Sequence, residues 1–567
     1  MSVDLLAAVL AAAERTPAAP AITRGRRTLA FAGLRRRILG TAAGLRAAGL
    51  ADGDRMLFSV RPGIDAVVLA LGAIAAGGTV VFADPGAGES LFRTRTALAE
   101  PRWVAAESLL YAVSSGPLAR LARRRGIVLP PYASIVPQAR HVRAGRWLPG
   151  VPAGAHPLDR LARAAPLPGP LGDPEAPALV IFTSGTTEAP KAVVHSRRSL
   201  GAGLGDFAAA AAIAPGEVVL TDQLMVGVPA LIAGAHWVLP EPGLDPGARP
   251  ERYLRAIAGA DVLFAVPAAL ARILDALAAM PPSARPTPRA ILVGGAPVLG
   301  PLLRRVAEVL PGARLLAVYG MTEILPVAIA DGAEKLAFVG DGDLVGDLAP
   351  SALARVDDGE LVLAGPGLAL GYLAAADPDP ARDPGPARDP DAAPPAPSGR
   401  PAGLLVDRIA ELRTGDLARI EPGPAGRRRL VLEGRAKDML IRGTTNVYPG
   451  LVEPVVTTVP GVAEALLVGV PDAIGDDRLV LAVVPAEGPP PPAAGDPAHP
   501  LAVVVVAALP ALIDVACLPD LVVAIPALPR AGRGAKPDRA ALAVALAPLL
   551  PPADAGSDAG PAAGARG

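Results

Sequence analysis

The chain has 567 residues, more than a single hydrophobic core normally organises, so we expect at least two domains. Its 54 lysine and arginine residues balance 54 aspartate and glutamate residues, which argues against a nucleic-acid partner or an anionic membrane surface. The single cysteine, Cys517, excludes an internal disulfide and a cluster of metal-bound thiolates, and five scattered histidines disfavour a zinc site.

The first fifteen residues predict an amphipathic helix rather than a signal peptide, because no basic leader precedes the apolar positions. Those positions follow helical spacing: Leu5, Leu6, Val9 and Leu10. Residues 66–83 carry no charge and are long enough to raise the question of a membrane span, but Gly77-Gly78 interrupts them. We therefore expect a soluble, cytoplasmic protein with no membrane span.

Short apolar runs alternate with longer Ala/Leu-rich segments, a pattern that predicts an α/β architecture with buried strands. The runs are residues 178–182, 262–266, 290–293 and 315–318, followed later by 465–468 and 479–484. Residues 374–404 contain a near-repeat of Asp-Pro-x-Pro-Ala-Arg that cannot bury a core, and we expect a disordered insertion there. We expect a disordered tail over residues 551–567.

The segment from Ile181 to Lys191 reads IFTSGTTEAPK and is the most informative in the chain. It places a hydroxyl-rich, glycine-containing turn and a lysine directly after a buried strand. Such a turn can surround a polyphosphate with backbone N–H groups, hydroxyl donors and an ammonium. The spacing differs from that of a Walker loop. A solvated Ser/Thr turn is the alternative.

This segment resembles the phosphate loop of the adenylate-forming (AMP-binding) superfamily, which includes acyl-CoA synthetases, peptide-synthetase adenylation domains and luciferases. Further matches follow in the order that this family uses, and the resemblance spans nearly the whole chain. They are Val318–Glu323 (VYGMTE), Arg413–Leu417 (RTGDL), Gly434–Asp438 (GRAKD) and Gly534–Arg539 (GAKPDR).

The resemblance implies a large N-terminal domain of β-sheets packed with helices, residues 1–433, which includes the insertion at 374–404. A small mobile α+β lid domain, residues 434–550, would follow, with Lys437 at the hinge and residues 551–567 as the tail. It also implies that residues 66–83 form a buried helix followed by a core strand.

The implied activity is ATP-dependent activation of a carboxylic acid to an acyl-adenylate with release of pyrophosphate, most simply followed by transfer to CoA. Mg²⁺ would be the metal, held by Glu323. Lys536 would be the main catalytic residue, because its ammonium would steady the carboxylate and the α-phosphate. Thr322 would bind the α-phosphate, and Lys191 would act with the loop on the β- and γ-phosphates. The implied nucleotide-binding residues are Thr183, Ser184, Gly185, Thr186, Thr187, Gly295, Ala296, Pro297, Tyr319, Asp416 and Arg435.

Tyr319 would stack on the base, and Asp416 would accept hydrogen bonds from both ribose hydroxyls. Candidates for the acyl pocket or the pantetheine tunnel are His195, Gly320, Met321, Gly443 and Thr444. For His195, a structural role and a substrate contact remain equal alternatives.

The sequence departs from the family pattern at positions that bear on the second half-reaction. Thr444 stands where a glycine commonly lines the tunnel, and the usual gate motif is unrecognisable in residues 221–237. Glu188 adds a negative charge beside the expected triphosphate. Three readings follow: a CoA ligase, an adenylating enzyme that loads an acyl carrier protein or closes a β-lactone, and a catalytically silent nucleotide-binding homologue.

Overall fold

The computed structural model describes most of the chain between residues 4 and 550. The described ranges are interrupted at 84–88, 116–117, 125–128, 184–190, 242–243, 245–249, 296–297, 299, 340–342, 375–405, 436–439, 443–444, 448, 458, 473–475, 487 and 532–535. The predicted insertion, apart from Ala374, and the predicted tail lie outside the described residues. Contacts divide the chain between Arg435 and Leu440 into two compact units.

The helices of the first unit begin with the predicted N-terminal one, whose four apolar positions are buried and whose first turn is capped by Asp4. They are α1 (Leu5–Arg15), α2 (Phe31–Ala47), α3 (Ile64–Ala75), α4 (Glu89–Ala99), α5 (Ser108–Ser115), α6 (Leu118–Arg124), α7 (Leu158–Leu161), α8 (Arg197–Ala210), α9 (Leu224–Ala233), α10 (Pro250–Ile257), α11 (Pro267–Ala278), α12 (Gly300–Val309) and α13 (Gly332–Ala337).

The strands of the first unit include every apolar run predicted within it. They are β1 (Pro20–Arg24), β2 (Arg27–Ala30), β3 (Arg55–Ser59), β4 (Thr79–Phe82), β5 (Trp103–Glu107), β6 (Arg140–Ala144), β7 (His156–Pro157), β8 (Pro177–Thr183), β9 (Lys191–Ser196), β10 (Val218–Leu220), β11 (His236–Leu239), β12 (Val262–Ala265), β13 (Ala290–Gly294), β14 (Arg314–Met321), β15 (Ile324–Asp331), β16 (Asp343–Leu348), β17 (Leu353–Asp357), β18 (Glu360–Ala364), β19 (Gly371–Leu373), β20 (Val406–Arg408), β21 (Leu412–Pro422) and β22 (Arg428–Arg435).

These strands form two large sheets. The first has 13 strands in the order β17-β18-β21-β22-β16-β15-β14-β13-β12-β10-β11-β1-β2, and the second has nine in the order β20-β19-β9-β8-β4-β3-β5-β6-β7. In the first sheet the strands from β11 to β14 run parallel, whereas those from β15 to β18 pair antiparallel. The fold of this unit is therefore α/β, as predicted.

The main core of the first unit lies between the sheets and the helices α1, α2, α3, α8 and α9. Trp103 of β5 and Trp237 of β11 are among its fully buried residues. Residues 66–83 contribute the buried helix α3 and the strand β4, as expected. None of the helices in the described residues combines the length and apolar composition needed to cross a bilayer.

The second unit is smaller and mixes helices with short strands. Its elements are β23 (Leu440–Arg442), β24 (Thr445–Val447), α14 (Pro449–Val456), β25 (Val462–Pro471), β26 (Asp477–Pro485), α15 (Pro500–Leu512), β27 (Leu521–Ala524), β28 (Arg530–Ala531), β29 (Lys536–Pro537) and α16 (Arg539–Leu546). Strands β25, β26 and β27 form one sheet with its own core, and β25 and β26 contain the two predicted runs.

Gly434 and Arg435 were assigned by sequence to the smaller domain, but they complete β22 in the larger unit. The reason is backbone pairing, since Arg435 faces Asp416 and Gly434 faces Leu417 across the β21–β22 pair.

Candidate functional site

A two-residue turn between β14 and β15 carries Thr322 and Glu323. Met321 pairs with Ile324, so only these two residues join the strands. Gly320 precedes the turn at an irregularity in the pairing, and a Cβ there would lie 2.6 Å from Leu325 Cδ1. A side chain at this position would therefore disturb the hairpin that displays the two polar residues.

His195 of β9 holds this turn from behind. Its side chain is buried, and Nε2 lies 2.7 Å from the Thr322 carbonyl oxygen while Nδ1 lies 3.0 Å from Ser199 Oγ. A carbonyl only accepts, so Nε2 carries the proton and donates it to Thr322. Burial lowers the pKa of the His195 imidazole below its usual 6.5, while the bond to Thr322 acts in the opposite direction.

The neutral ring therefore accepts a hydrogen bond at Nδ1 from the Ser199 hydroxyl. Ser199 belongs to the capping box that begins α8, in which Ser196 is the N-cap residue. Both ring nitrogens of His195 are thus engaged within the protein. This geometry favours the structural alternative for His195 over contact with a substrate.

Glu323 is the carboxylate at the tip of the hairpin, and Tyr372 of β19 orients it. The Tyr372 hydroxyl donates to Glu323 Oε1 at 2.9 Å, and the Lys191 ammonium lies 5.3 Å from the centroid of the Tyr372 ring. Backbone contacts support the arrangement, because the Ala369 N–H donates to the Glu323 carbonyl at 2.8 Å. The three side chains form a row from β9 through β19 to the hairpin.

The fit of this row to magnesium can be judged from its donors. Among the described residues, no group of three or more His, Cys, Asp or Glu side chains is placed to hold a metal ion. A single carboxylate such as Glu323 suits Mg²⁺, which is commonly bound by one or two carboxylates together with waters and substrate phosphates. The donor set therefore fits an ion that arrives with a nucleotide.

Asp416 lies near the start of β21, and its buried carboxylate meets the other tyrosine of the site. It is 4% exposed, and its Oδ2 accepts a hydrogen bond from the Tyr319 hydroxyl at 2.6 Å. The preceding Gly415 has a φ of +74°, and its N–H donates to Glu360 Oε1 at 2.9 Å. Tyr319 and Asp416, which are 97 positions apart in the chain, thus belong to one site.

The two ends of the predicted phosphate loop are adjacent. Thr183 ends β8 and pairs with Lys191 at the start of β9, and the Thr183 hydroxyl donates to the Lys191 carbonyl at 3.4 Å. Ser184, Gly185, Thr186 and Thr187 lie outside the described residues, as does Glu188.

Gly295, with a φ of +85°, follows β13 beside the strand that carries Tyr319. The predicted adenine-binding residues Ala296 and Pro297 lie outside the described residues.

The predicted residues of the second unit are described less completely. Lys536 begins β29, where its backbone pairs with Ala531 of β28. Lys437, Gly443 and Thr444 lie outside the described residues. Arg435 of the first unit is described through its backbone pairing with Asp416.

The gate segment that sequence could not interpret forms helix α9 against Trp237. A Cβ at Gly227 would overlap the Trp237 indole, whose Nε1 donates to the Thr221 carbonyl at 2.8 Å. Tyr372 was not singled out from the sequence at all. The signal that could have found it is the scarcity of tyrosine: the chain has six, and two of them donate to site carboxylates.

Comparison with known proteins places this site in a family. The model of the AMP-binding enzyme family matches residues 9–373. A feruloyl-CoA synthase from an Amycolatopsis species is 29% identical over 500 residues, which cover 84% of this chain and 87% of the relative. An olefin β-lactone synthetase from Stenotrophomonas maltophilia is 30% identical over 472 residues, which cover 76% of each chain.

Among solved structures, the amide bond synthetase McbA from Marinactinospora thermotolerans shares the fold. Its TM-score is 0.69 at 24% identity, with 96% of this chain and 99% of that chain covered. The family match extends from α1 to β19 and so includes the hairpin, His195 and Tyr372. With its carboxylates, hairpin and phosphate-loop ends assembled in one unit, this chain belongs to the AMP-binding enzyme family and is an adenylate-forming, acyl-CoA synthetase-like ligase.

Proposed function

We propose that the chain joins a carboxylic acid to the AMP moiety of ATP. An oxygen of the substrate carboxylate attacks the α-phosphorus, the bond to the β-phosphate oxygen breaks, and pyrophosphate leaves. The observation that carries this proposal is the row formed by Lys191, Tyr372 and Glu323 beside Thr322. It brings an ammonium, a carboxylate and a hydroxyl, the groups needed to bind a magnesium triphosphate, to one edge of the first unit.

Each predicted residue has a task in this reaction. Lys191 and the loop from Thr183 to Thr187 would hold the β- and γ-phosphates, and Thr322 would donate to the α-phosphate. Glu323 would hold Mg²⁺, which supplies charge neutralisation at the phosphates. Gly295, Ala296, Pro297 and Tyr319 would bind the adenine, and Asp416 with Arg435 would bind the ribose. Lys536 would reach the α-phosphate and the substrate carboxylate.

The contact between Tyr319 and Asp416 supports the ribose assignment. Tyr319 occupies one oxygen of the carboxylate and fixes its plane, while the hydroxyl of a bound ribose would be the next donor. A buried carboxylate held by one donor is well suited to accept further hydrogen bonds from a diol.

Lys536→Ala tests the adenylation step. We expect acid-dependent exchange of pyrophosphate into ATP to fall by at least about 100-fold, the usual cost of removing one preorganised donor to a transition state. Affinity for ATP should change little, because the remaining nucleotide contacts stay. Exchange at the wild-type rate in this variant would refute the assignment of Lys536.

The acceptor that we propose is CoA, which would attack the carbonyl carbon of the acyl-adenylate through its thiol and release AMP. The feruloyl-CoA synthase relative supports this choice and suggests that aryl acids should lead the substrate panel. Closure of a β-lactone, in which a substrate hydroxyl replaces the thiol, is the second candidate. The β-lactone synthetase relative and the side chain of Thr444 favour it, while loading of an acyl carrier protein lacks comparable support.

Release of AMP with and without CoA separates the two acceptors. Stimulation by CoA together with a new thioester would establish the ligase. Release of AMP from a β-hydroxy acid at the same rate in both conditions would instead favour lactone closure. A Thr444→Gly variant provides the matched comparison, since an enlarged tunnel should raise only the CoA-dependent rate.

A further inference from the structure

Tyr372 reaches the site because the backbone of β19 is fixed on both sides. On one side β19 pairs with β9, where Tyr372 faces Val193. On the other side β20 approaches so closely that a Cβ on Gly371, whose φ is +145°, would overlap the Asp407 carbonyl oxygen. Glycine at 371 therefore permits the close approach that sets the position of the next residue.

The side chain of Tyr372 uses two different chemical features. Its hydroxyl donates to Glu323 Oε1, and its ring face lies beneath the Lys191 ammonium. Lys191 is two residues before Val193, the direct partner of Tyr372, and such diagonal neighbours on a sheet are within reach of aromatic and long side chains. One aromatic residue thus touches both the cation and the anion of the proposed triphosphate site.

We propose that Tyr372 is a positioning residue that orients the Glu323 carboxylate for Mg²⁺ bound to ATP. A glutamate at the tip of a hairpin can rotate about three side-chain bonds. The hydrogen bond to Oε1 removes much of that freedom and leaves Oε2 as the oxygen that coordinates the metal. The inference rests on the proposed function, and it assigns Tyr372 no proton transfer and no contact with the reacting atoms.

A purely structural role predicts a different behaviour. If Tyr372 only ties β19 to the hairpin, its hydroxyl supports ATP binding equally with and without metal. If it orients the metal ligand, its hydroxyl supports only the part of ATP binding that depends on Mg²⁺. The ratio of the two ATP affinities therefore distinguishes the roles.

The experiment uses Tyr372→Phe in the full-length chain, which keeps the ring beneath Lys191 and removes only the hydroxyl. ATP dissociation constants are measured by calorimetry in excess Mg²⁺ and in a chelator. We expect the constant in Mg²⁺ to rise about tenfold, as for loss of a hydrogen bond to a charged group, and the constant in chelator to stay unchanged. Tyr132→Phe is the matched control, because its hydroxyl donates to Ser59 Oγ at 2.7 Å elsewhere in the same unit.

A double-mutant cycle with Glu323→Gln sharpens the test. In that background Tyr372→Phe should have no further effect on the Mg²⁺ constant, since Tyr372 acts through the carboxylate. Equal weakening with and without Mg²⁺, unchanged affinity, or additive effects with Glu323→Gln would each overturn the inference. A wild-type chain that fails to bind ATP would instead refute the proposed function, so the two failures are distinguishable.

Discussion

Replacing His195 by alanine should uncouple the catalytic hairpin from the strand beneath it. The imidazole donates to the Thr322 carbonyl and accepts from the Ser199 hydroxyl, and the side chain is buried. Alanine leaves both partners without the ring and opens a cavity behind the turn. Thr322 and Glu323 would then lose the support that fixes their backbone.

The size of the effect follows from these losses. Leaving a buried acceptor or donor unsatisfied costs about 1–3 kcal/mol, and the cavity adds to that cost. Partial rehydration of the Ser199 hydroxyl offsets some of it. We therefore expect the free energy of unfolding to fall by about 3 kcal/mol. A shift in the position of the turn should also weaken ATP binding in the presence of Mg²⁺.

The assay combines urea unfolding with ATP titration, and His141→Ala is the matched control. His141 is another buried histidine, whose Nδ1 lies 3.1 Å from the Tyr111 hydroxyl in a different region of the same unit. Both variants should lose stability, but only His195→Ala should lose ATP affinity. Equal ATP affinity in the two variants, or a His195→Ala chain as stable as the wild type, would refute the reasoning.

Two further predictions concern stability. Because burial holds the pKa of His195 below the usual 6.5, the unfolded state binds more protons than the folded state below about pH 6.5. The free energy of unfolding should therefore fall as the pH is lowered from 7 to 5, and urea unfolding of His195→Ala over that range should show a shallower decline; a parallel decline would count against it. Asp4→Asn keeps the cap of α1 but removes the charge that faces the buried Arg197 at 3.1 Å, which should cost about 2 kcal/mol. Asp275→Asn, in an exposed ion pair with Arg305, should cost less than about 1 kcal/mol by the same measurement, and equal losses would contradict the role of burial.

The strands of the parallel region were predictable because each is buried on both faces. A strand such as β13 then appears in the sequence as a continuous apolar run. The antiparallel strands from β16 to β22 were less visible, since they alternate apolar and polar residues and contain glycines. Gly346, for example, has a φ of +103° and lies where the pairing of β16 with β22 shifts register. A local pattern carries little information about such an irregularity.

The contacts that build the site were beyond local patterns for a different reason. Tyr372 and Glu323 are 49 positions apart, and His195 and Thr322 are 127 apart. Family resemblance identified Glu323 and Thr322 by their short motif, but the residues that orient them stand alone in the sequence. Only the strand order, which brings β9 and β19 together beside the hairpin, makes those partners visible.

The measurement that tests the central claim most directly follows an oxygen atom from the acid to AMP. A substrate acid labelled with heavy oxygen in its carboxylate is turned over with ATP, and the AMP is analysed by mass spectrometry. An acyl-adenylate whose carbonyl carbon is attacked by the acceptor must leave one carboxylate oxygen on AMP, so we predict one heavy oxygen atom in each AMP molecule. Unlabelled AMP, or ADP with labelled phosphate, would contradict adenylate formation.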